Sequence, residues 1–379
     1  MTQQERFKQI FTFQKVDRIP CYFFGSWNET KQRWKNEGFD NELVMEDAGP
    51  QLPGMDPDWE GGMWNIHGLV KIGCIGDIEP KILEENETRR IIRSSIGEEI
   101  VERKDGSSIP HTRIHALEPT RKSWENFKKF LDPSESKRRP IGWEKNAKEF
   151  NERDTVKTFM GGSLYAWLRE WLGVENISYI MYDEPELFKE MVEYIADHFM
   201  QLMEPVLKIA KFDFVYFFED CCGSSGPLFS PSIYNDVFDK HYCRMIKFYK
   251  DAGVPFALID SDGWSEKLIP SWLGSGFDIM FPIQVGKWGA NPDDLRKKYG
   301  RKLRIFGAID KNYIYGPEDK LRKHLQSLKP CVDEGGYIPI PDHRIPPQVS
   351  YKQMLRYIEI FHEVFNENIN ITLEAKHLH

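Results

Sequence analysis

The chain lacks any apolar run near the roughly 18–20 residues that a bilayer-spanning helix needs. Its opening, Met1-Thr2-Gln3-Gln4-Glu5-Arg6-Phe7, has no apolar core of the secretory kind. Cysteine is sparse: six in 379 residues (Cys21, Cys74, Cys221, Cys222, Cys243, Cys331), with no framework spacing. They are expected to be reduced thiols of a cytoplasmic protein. The adjacent pair Cys221-Cys222 reads as small, buryable residues at a strand end rather than as a redox or metal motif. No concentrated basic stripe stands out either. The 51 basic and 59 acidic residues, net −8, are spread along the chain, which sets nucleic acid and membrane partners aside. There is no low-complexity linker and no sign of a second core, so residues 1–379 are expected to form one domain.

Apolar residues at 40%, aromatics at 13%, supply a large core. Glu5–Phe13 reads as a short amphipathic helix and Ile19–Gly25 as a strand. A β-rich stretch at 66–116 follows, with strands over Ile72–Ile75, Thr88–Ser94, Glu99–Arg103 and His111–His115. The turn signals between them predict an inserted antiparallel meander. From about residue 155 strands alternate with helices. Strands are expected over Val156–Met160, Phe214–Phe218, Phe256–Ile259, Ile279–Pro282, Leu303–Gly307 and Tyr337–Ile340. Helices are expected over Glu184–Ala210, Pro231–Ala252, Ser265–Leu273, Pro292–Tyr299, Pro317–Val332 and Tyr351–Phe365. Ser230-Pro231 and Asn291-Pro292 are helix starts. This alternation is the signature of a parallel α/β fold, and the expected architecture is a (β/α)8 TIM barrel with the meander inserted near the N-terminus.

In such a barrel the strands' C-terminal ends form the site. Those ends carry Gly25, Ser26 and Trp27; Gly161 and Gly162; Glu219-Asp220; Asp260-Ser261-Asp262-Gly263; Asp310-Lys311; and Asp342-His343-Arg344. So many acids predict a negative mouth that needs a metal, a cationic substrate or shifted pKa values to persist. Asp260 and Asp262, two apart on an extended strand, share a face. Each acid also has a plain structural reading: Asp262 before Gly263 as a cap, Asp220 and Asp310 as turn residues. Trp27, Trp264 and Trp288 are candidates for an aromatic wall, although core packing is the commoner fate of Trp.

Taken in order, Glu5-Arg6-Phe7 with Asp17-Arg18-Ile19-Pro20, Phe218-Glu219-Asp220 with Gly223 and Leu228-Phe229-Ser230-Pro231, Gly307-Ala308-Ile309-Asp310, and Gly335-Gly336-Tyr337-Ile338 running to His343-Arg344-Ile345-Pro346-Pro347 resemble the uroporphyrinogen decarboxylase superfamily. That superfamily includes corrinoid- and coenzyme M-linked methyltransferases. The decarboxylases carry Arg-Gln-Ala-Gly-Arg after the first strand, and this chain has Tyr22-Phe23-Phe24-Gly25-Ser26-Trp27-Asn28 there. The methyltransferases bind zinc through His-x-Cys and a later Cys. The resemblance places Asp260, Asp262 and His343 at those positions, which implies a single divalent metal with harder ligands. Zinc is the first candidate, ahead of iron, manganese and cobalt.

The resemblance thus implies a methyltransferase moving a methyl group from a small methylated substrate to a partner's corrinoid. Asp260, Asp262 and His343 would hold the metal and Glu219 or Asp310 would manage protons. Gly25, Trp27, Gly161, Asp220 and Trp264 would contact substrate. Two other readings stay open: a metal-free, decarboxylase-like lyase acting on a different substrate, needing no cofactor, and an inactive barrel that only binds a ligand. A homodimer is expected from the resemblance alone.

Overall fold

The computed structural model describes residues 1–23, 25–39, 52–57, 65–66, 68–106, 109–286 and 290–366. Helix α1 (Gln3–Phe11) begins at a capping box: Thr2 Oγ1 accepts from the Glu5 N–H at 3.1 Å, and Glu5 Oε2 accepts from the Thr2 N–H at 2.9 Å. Its apolar side, Phe7, Ile10 and Phe11, is buried.

Among its described residues, the expected strand at Ile19–Gly25 does not join a ladder. Side chains take its backbone groups instead: the Ile19 N–H donates to Asn366 Oδ1 at 2.7 Å and the Cys21 N–H to Asp56 Oδ2 at 2.8 Å. Asp56 also pairs with Arg18. Only at its end does the segment bridge to a neighbour, in parallel at Ser26 and Ile345, with the Ile345 N–H donating to Gly25 O at 2.9 Å. Helix α2 (Asn28–Asn36) follows directly.

An antiparallel sheet comes next, made of β1 (Lys81–Glu85), β2 (Arg89–Arg93), β3 (Glu99–Arg103) and β4 (His111–Ile114), paired in chain order. The strand expected at Ile72–Ile75 is absent from it, and β1 was not anticipated. Asn28 at the start of α2 donates to Gly106 O at 3.0 Å, and His115 Nδ1–H donates to Glu170 O at 3.0 Å. These contacts set the sheet beside the C-terminal ends of the strands described next.

Six strands form one parallel sheet: β5 (Thr158–Gly162), β6 (Phe214–Phe218), β7 (Phe256–Asp260), β8 (Ile279–Ile283), β9 (Arg304–Ile309) and β10 (Tyr337–Pro341). Neighbours in space are neighbours in sequence, and every pairing is parallel. All residues of β7, β8 and β10 are buried, as expected of strands covered on both sides. One side chain set, including Phe214, Phe256, Phe306 and Ile338, packs with α1, which lies across the strands' N-terminal ends. Phe7 stacks on Phe214 at 5.2 Å between centroids, and Phe11 meets Phe256 edge-on at 5.9 Å. The other side packs against helices, among them α3 (Ala166–Leu172), α4 (Pro185–Leu207), α5 (Pro292–Tyr299), α6 (Glu318–Glu334) and α7 (Tyr351–Phe365). Helix α5 starts where Asn291 accepts from the Asp293 and Asp294 N–H groups, with Pro292 in its first turn. Among the described residues, no helix is long and apolar enough to cross a membrane.

Candidate active site at the C-terminal ends of the strands

The acids at the strand ends do not form one undivided negative cluster, because nearly every one has its own partner. Glu219, just after β6, is fully buried. Its two oxygens accept from the backbone N–H groups of Leu164, Tyr165 and Ala166 at 2.7, 2.8 and 3.3 Å. The Ala166 N–H is the first donor of α3, and the other two belong to the residues leading into it. Burial raises the Glu219 pKa, opposed by a Tyr242 hydrogen bond and the three N–H groups. The geometry makes Glu219 an anchor for the start of α3.

Asp310 is likewise a turn residue. Its Oδ1 accepts from the Asn312 N–H at 2.9 Å and from Asn312 Nδ2 at 2.8 Å, capping a short 3-10 turn. Asp342 accepts from the Val285 N–H at 3.1 Å and faces Lys311 Nζ at 3.5 Å. Asp220 pairs with Arg169 at 3.1 Å, and its backbone sits at φ +36°, a strained position for a residue with a side chain. Burial raises the pKa of both Asp342 and Asp220, while Lys311 and Arg169 respectively pull them back. Two of the mouth's acids are thus paired in place by Arg169 and Lys311, and burial shifts their pKa values upward, one of the three ways the sequence allowed such a cluster to persist.

Asp260 and Asp262 have different surroundings. Asp260, the last residue of β7, is buried and accepts a hydrogen bond from the Tyr216 hydroxyl of β6. Burial first, and then the charge of Asp262, push its pKa well up, which favours the neutral acid. Asp262 lies at the surface of the site, 3.1 Å from His343 Nε2, with the two side chains 33% and 19% exposed. Gln284 holds this turn. Its Oε1 accepts from the Gly263 N–H at 2.8 Å, and Nε2 lies 3.5 Å from Asp262. Gly263 is required here: at φ +83°, a Cβ would stand 2.8 Å from the carbonyl oxygens of Cys222 and Gly223.

The proposed metal set is not assembled. Asp262 and His343 meet, but Asp260 is engaged by Tyr216 and held toward its neutral form, a poor state for a ligand. Among the described residues, no three His, Cys, Asp or Glu side chains converge as a metal group. The donors present do not fit a metal bound by this trio.

Of the substrate-contact candidates, Trp27 stands in the site, stacked on His343 with centroids 5.6 Å apart and planes at 28°. Arg344 lies over the Trp27 ring at 5.2 Å and pairs with no carboxylate among the described residues. Gly25, at φ +90°, faces open space where a Cβ would be. Gly161 is corrected: a Cβ there would meet Val215 at 2.1 Å and Tyr249 at 2.9 Å, so this glycine serves packing between β5, β6 and a helix. Trp264 is tied through its backbone N–H to Gly223 O at 3.1 Å, with Lys267 over its ring. Trp288 lies outside the described residues. Cys221 and Cys222 are both buried. Sequence reasoning missed Tyr216, Arg169 and Gln284. Tyr216 was open to discovery, since strand alternation puts it on the same face as Phe214 and Phe218.

The family model for uroporphyrinogen decarboxylase (URO-D) matches residues 147–364, which contain every strand-end acid described above. The chain belongs to the URO-D family. A uroporphyrinogen decarboxylase of Pseudoalteromonas translucida (strain TAC 125) is 22% identical over 197 residues, 50% of this chain and 51% of that protein. One of Vibrio vulnificus (strain YJ016) is 23% identical over 222 residues, 55% and 56% of the two chains. This URO-D family chain spans about half the length of the curated relatives it matches. Its fold is also similar, at 12% identity, to a solved methyltransferase from Methanosarcina mazei. There the TM-score is 0.58, covering 97% of this chain and 99% of that one.

Proposed function

We propose that this URO-D family chain is a methyltransferase that moves a methyl group from a small methylated substrate to a corrinoid held by a partner protein. The parallel sheet is read as the greater part of a TIM-type barrel, with the substrate at its mouth. The observation that carries the proposal is the Asp262–His343 couple, 3.1 Å apart and partly open to solvent beneath Trp27. A methyl ether resists cleavage because the departing oxygen takes both electrons of the C–O bond. A proton delivered from Asp262–His343 as that bond breaks leaves a neutral alcohol, while the methyl group passes to the acceptor's nucleophilic centre. Asp262 orients the imidazole; Trp27 walls one side; the buried, neutral Asp260 with Tyr216 supports the floor. No step is routed through a metal, since the trio expected to hold one is not assembled. The segment Tyr22–Asn28 also lacks the arginines that a polycarboxylate substrate would need.

One observation favours a second reading, decarboxylation of a smaller acid: Arg344 stands beside the site with no carboxylate partner among the described residues. The test is methyl transfer to a reduced cobalt(I) corrinoid from a panel of methoxylated small molecules, followed by absorbance, beside CO2 release from small carboxylates. Transfer is expected in the wild type, with a loss of about a hundredfold or more in His343→Ala and Asp262→Asn. CO2 release without methyl transfer would overturn the proposal in favour of the lyase.

A further inference from the structure

The opposite ends of the same strands carry a feature that the candidate site does not use. Residues Lys297-Lys298-Tyr299-Gly300-Arg301-Lys302-Leu303-Arg304 place five basic side chains in eight positions without an acid. This is a local exception to the even spread of charge along the chain. Two of the five are satisfied at the surface, Lys297 by Asp294 at 3.5 Å and Lys298 by Glu266 at 2.8 Å. The other three line a cleft of about 670 Å3 together with Lys250 and Asp278.

Its charge is not balanced. Asp278 is the one carboxylate among the lining residues, and it already serves two cations, Lys250 at 2.7 Å and Arg304 at 3.5 Å. Arg301 reaches only Glu334, at 3.8 Å, and Lys302 pairs with no carboxylate among the described residues. Four lining cations against one carboxylate leave a surplus of three in a chain whose net charge is −8. The cations are also held in place. Phe13, at φ +59°, presents its ring to Arg296 and Arg301, both at 4.9 Å, and to Arg304 at 5.7 Å. Arg304 additionally donates to Phe11 O at 2.6 Å. Like charges gathered and fixed around a concave space repel one another until an anion enters.

We infer that this cleft is an anion site for a small polyphosphate, a pyrophosphate-bearing or similarly charged molecule. Two guanidinium groups match the paired oxygens of phosphates, and the two lysines add charge without directional demand. A polyphosphate carrying about three negative charges would offset the surplus, which a single carboxylate would not. The cleft is confined to the strands' N-terminal ends, a shape that suits a small molecule better than an extended polymer. The site is separate from the strand-end acids and does not depend on the reaction assigned to them.

The experiment is calorimetric titration and thermal unfolding of the full chain with sodium pyrophosphate at fixed ionic strength, beside sodium chloride and sulfate. The comparison is between the wild type and the Arg301→Gln/Lys302→Gln double variant. Both positions are exposed, so the variant is expected to fold. Saturable binding of pyrophosphate with a raised Tm, weakened about tenfold or more in the variant, supports the inference. It is overturned by equal responses to pyrophosphate, sulfate and chloride, or by undiminished binding in the variant. Binding of a single-stranded oligonucleotide without saturable binding of pyrophosphate would overturn it too. None of these readouts uses turnover.

Discussion

The two ends of the parallel sheet treat charge in opposite ways. At the C-terminal ends, Glu219, Asp220, Asp310 and Asp342 each have dedicated donors or a cation, while the Asp262–His343 couple is paired only with itself and stays partly open. At the N-terminal ends, Arg301 and Lys302 stand nearly without carboxylates around a ring and a cleft. The strands between these ends are the same apolar material, packed in the same way. The contrast separates two uses of charge: groups whose partners are built in hold the architecture, and those left over are available to a ligand.

The strongest way to break this division is to remove an acid assigned to architecture. Glu219→Ala leaves three N–H groups at the start of α3 without their acceptor in a buried place. A loss of about 3 kcal/mol or more is expected in urea unfolding. Glu219→Gln, which keeps an acceptor oxygen, is expected to lose less. If Glu219→Ala unfolds like the wild type, the residue is free for chemistry and the division fails at its clearest position.

Asp260 provides a test of opposite sign. Its folded-state pKa lies well above the ordinary value of 3.8, because burial and Asp262 disfavour the charge. The folded protein therefore holds this proton as pH rises past 3.8 while the unfolded chain releases it, so the group's contribution to stability falls with rising pH. Asp260→Asn mimics the neutral acid and is expected to stabilise the protein by about 1 kcal/mol or more near pH 8. That gain should shrink as pH falls through 3.8 toward about pH 3, where the wild-type carboxyl is largely protonated in both states. Urea midpoints at the two pH values check this. A stabilised variant with reduced turnover would mark Asp260 as a functional acid kept at the expense of stability, whereas a destabilised one would make it architecture like Glu219.

These distinctions were only partly legible in the sequence. The elements with strong local signals were read closely: Phe214–Phe218, Pro292–Tyr299 and Tyr351–Phe365 stand at the expected bounds. Alternating apolar texture and caps such as Asn291 and Ser230 are local, so a local reading finds them. The strand-end acids were found for the same reason. Their partners were not: Glu219 finds its donors more than fifty residues away, at and just before the start of α3, and Asp220 finds Arg169 at a similar remove. Gly161 looked like a ligand-facing glycine until Val215 and Tyr249 were placed against it. Ile19–Gly25 had the composition of a strand, but Asp56 and Asn366 took the groups that a ladder would use. At the other end, the basic run 297–304 vanished into a chain-wide average, although it is plain in a window of eight residues.

The smallest expected effect is the most direct measure of the contrast. If Arg301 and Lys302 are surplus charge, removing both with Arg301→Gln/Lys302→Gln should leave stability within about 0.5 kcal/mol of the wild type when no anion is bound. The sign should be slightly favourable at low salt, because relief of repulsion from Arg304 and Lys250 outweighs the 3.8 Å pairing with Glu334 and the exposed Arg301 contact with the Phe13 ring that are given up. At about 0.5 M salt the screening length is shorter than the spacing across a cleft, and the difference should disappear. Urea unfolding at the two salt concentrations reads both features. A loss above about 1 kcal/mol that persists in salt would show that these cations hold α1 and Phe13 against the sheet. The strand ends would then differ in the sign of their charge and not in what the charge is for.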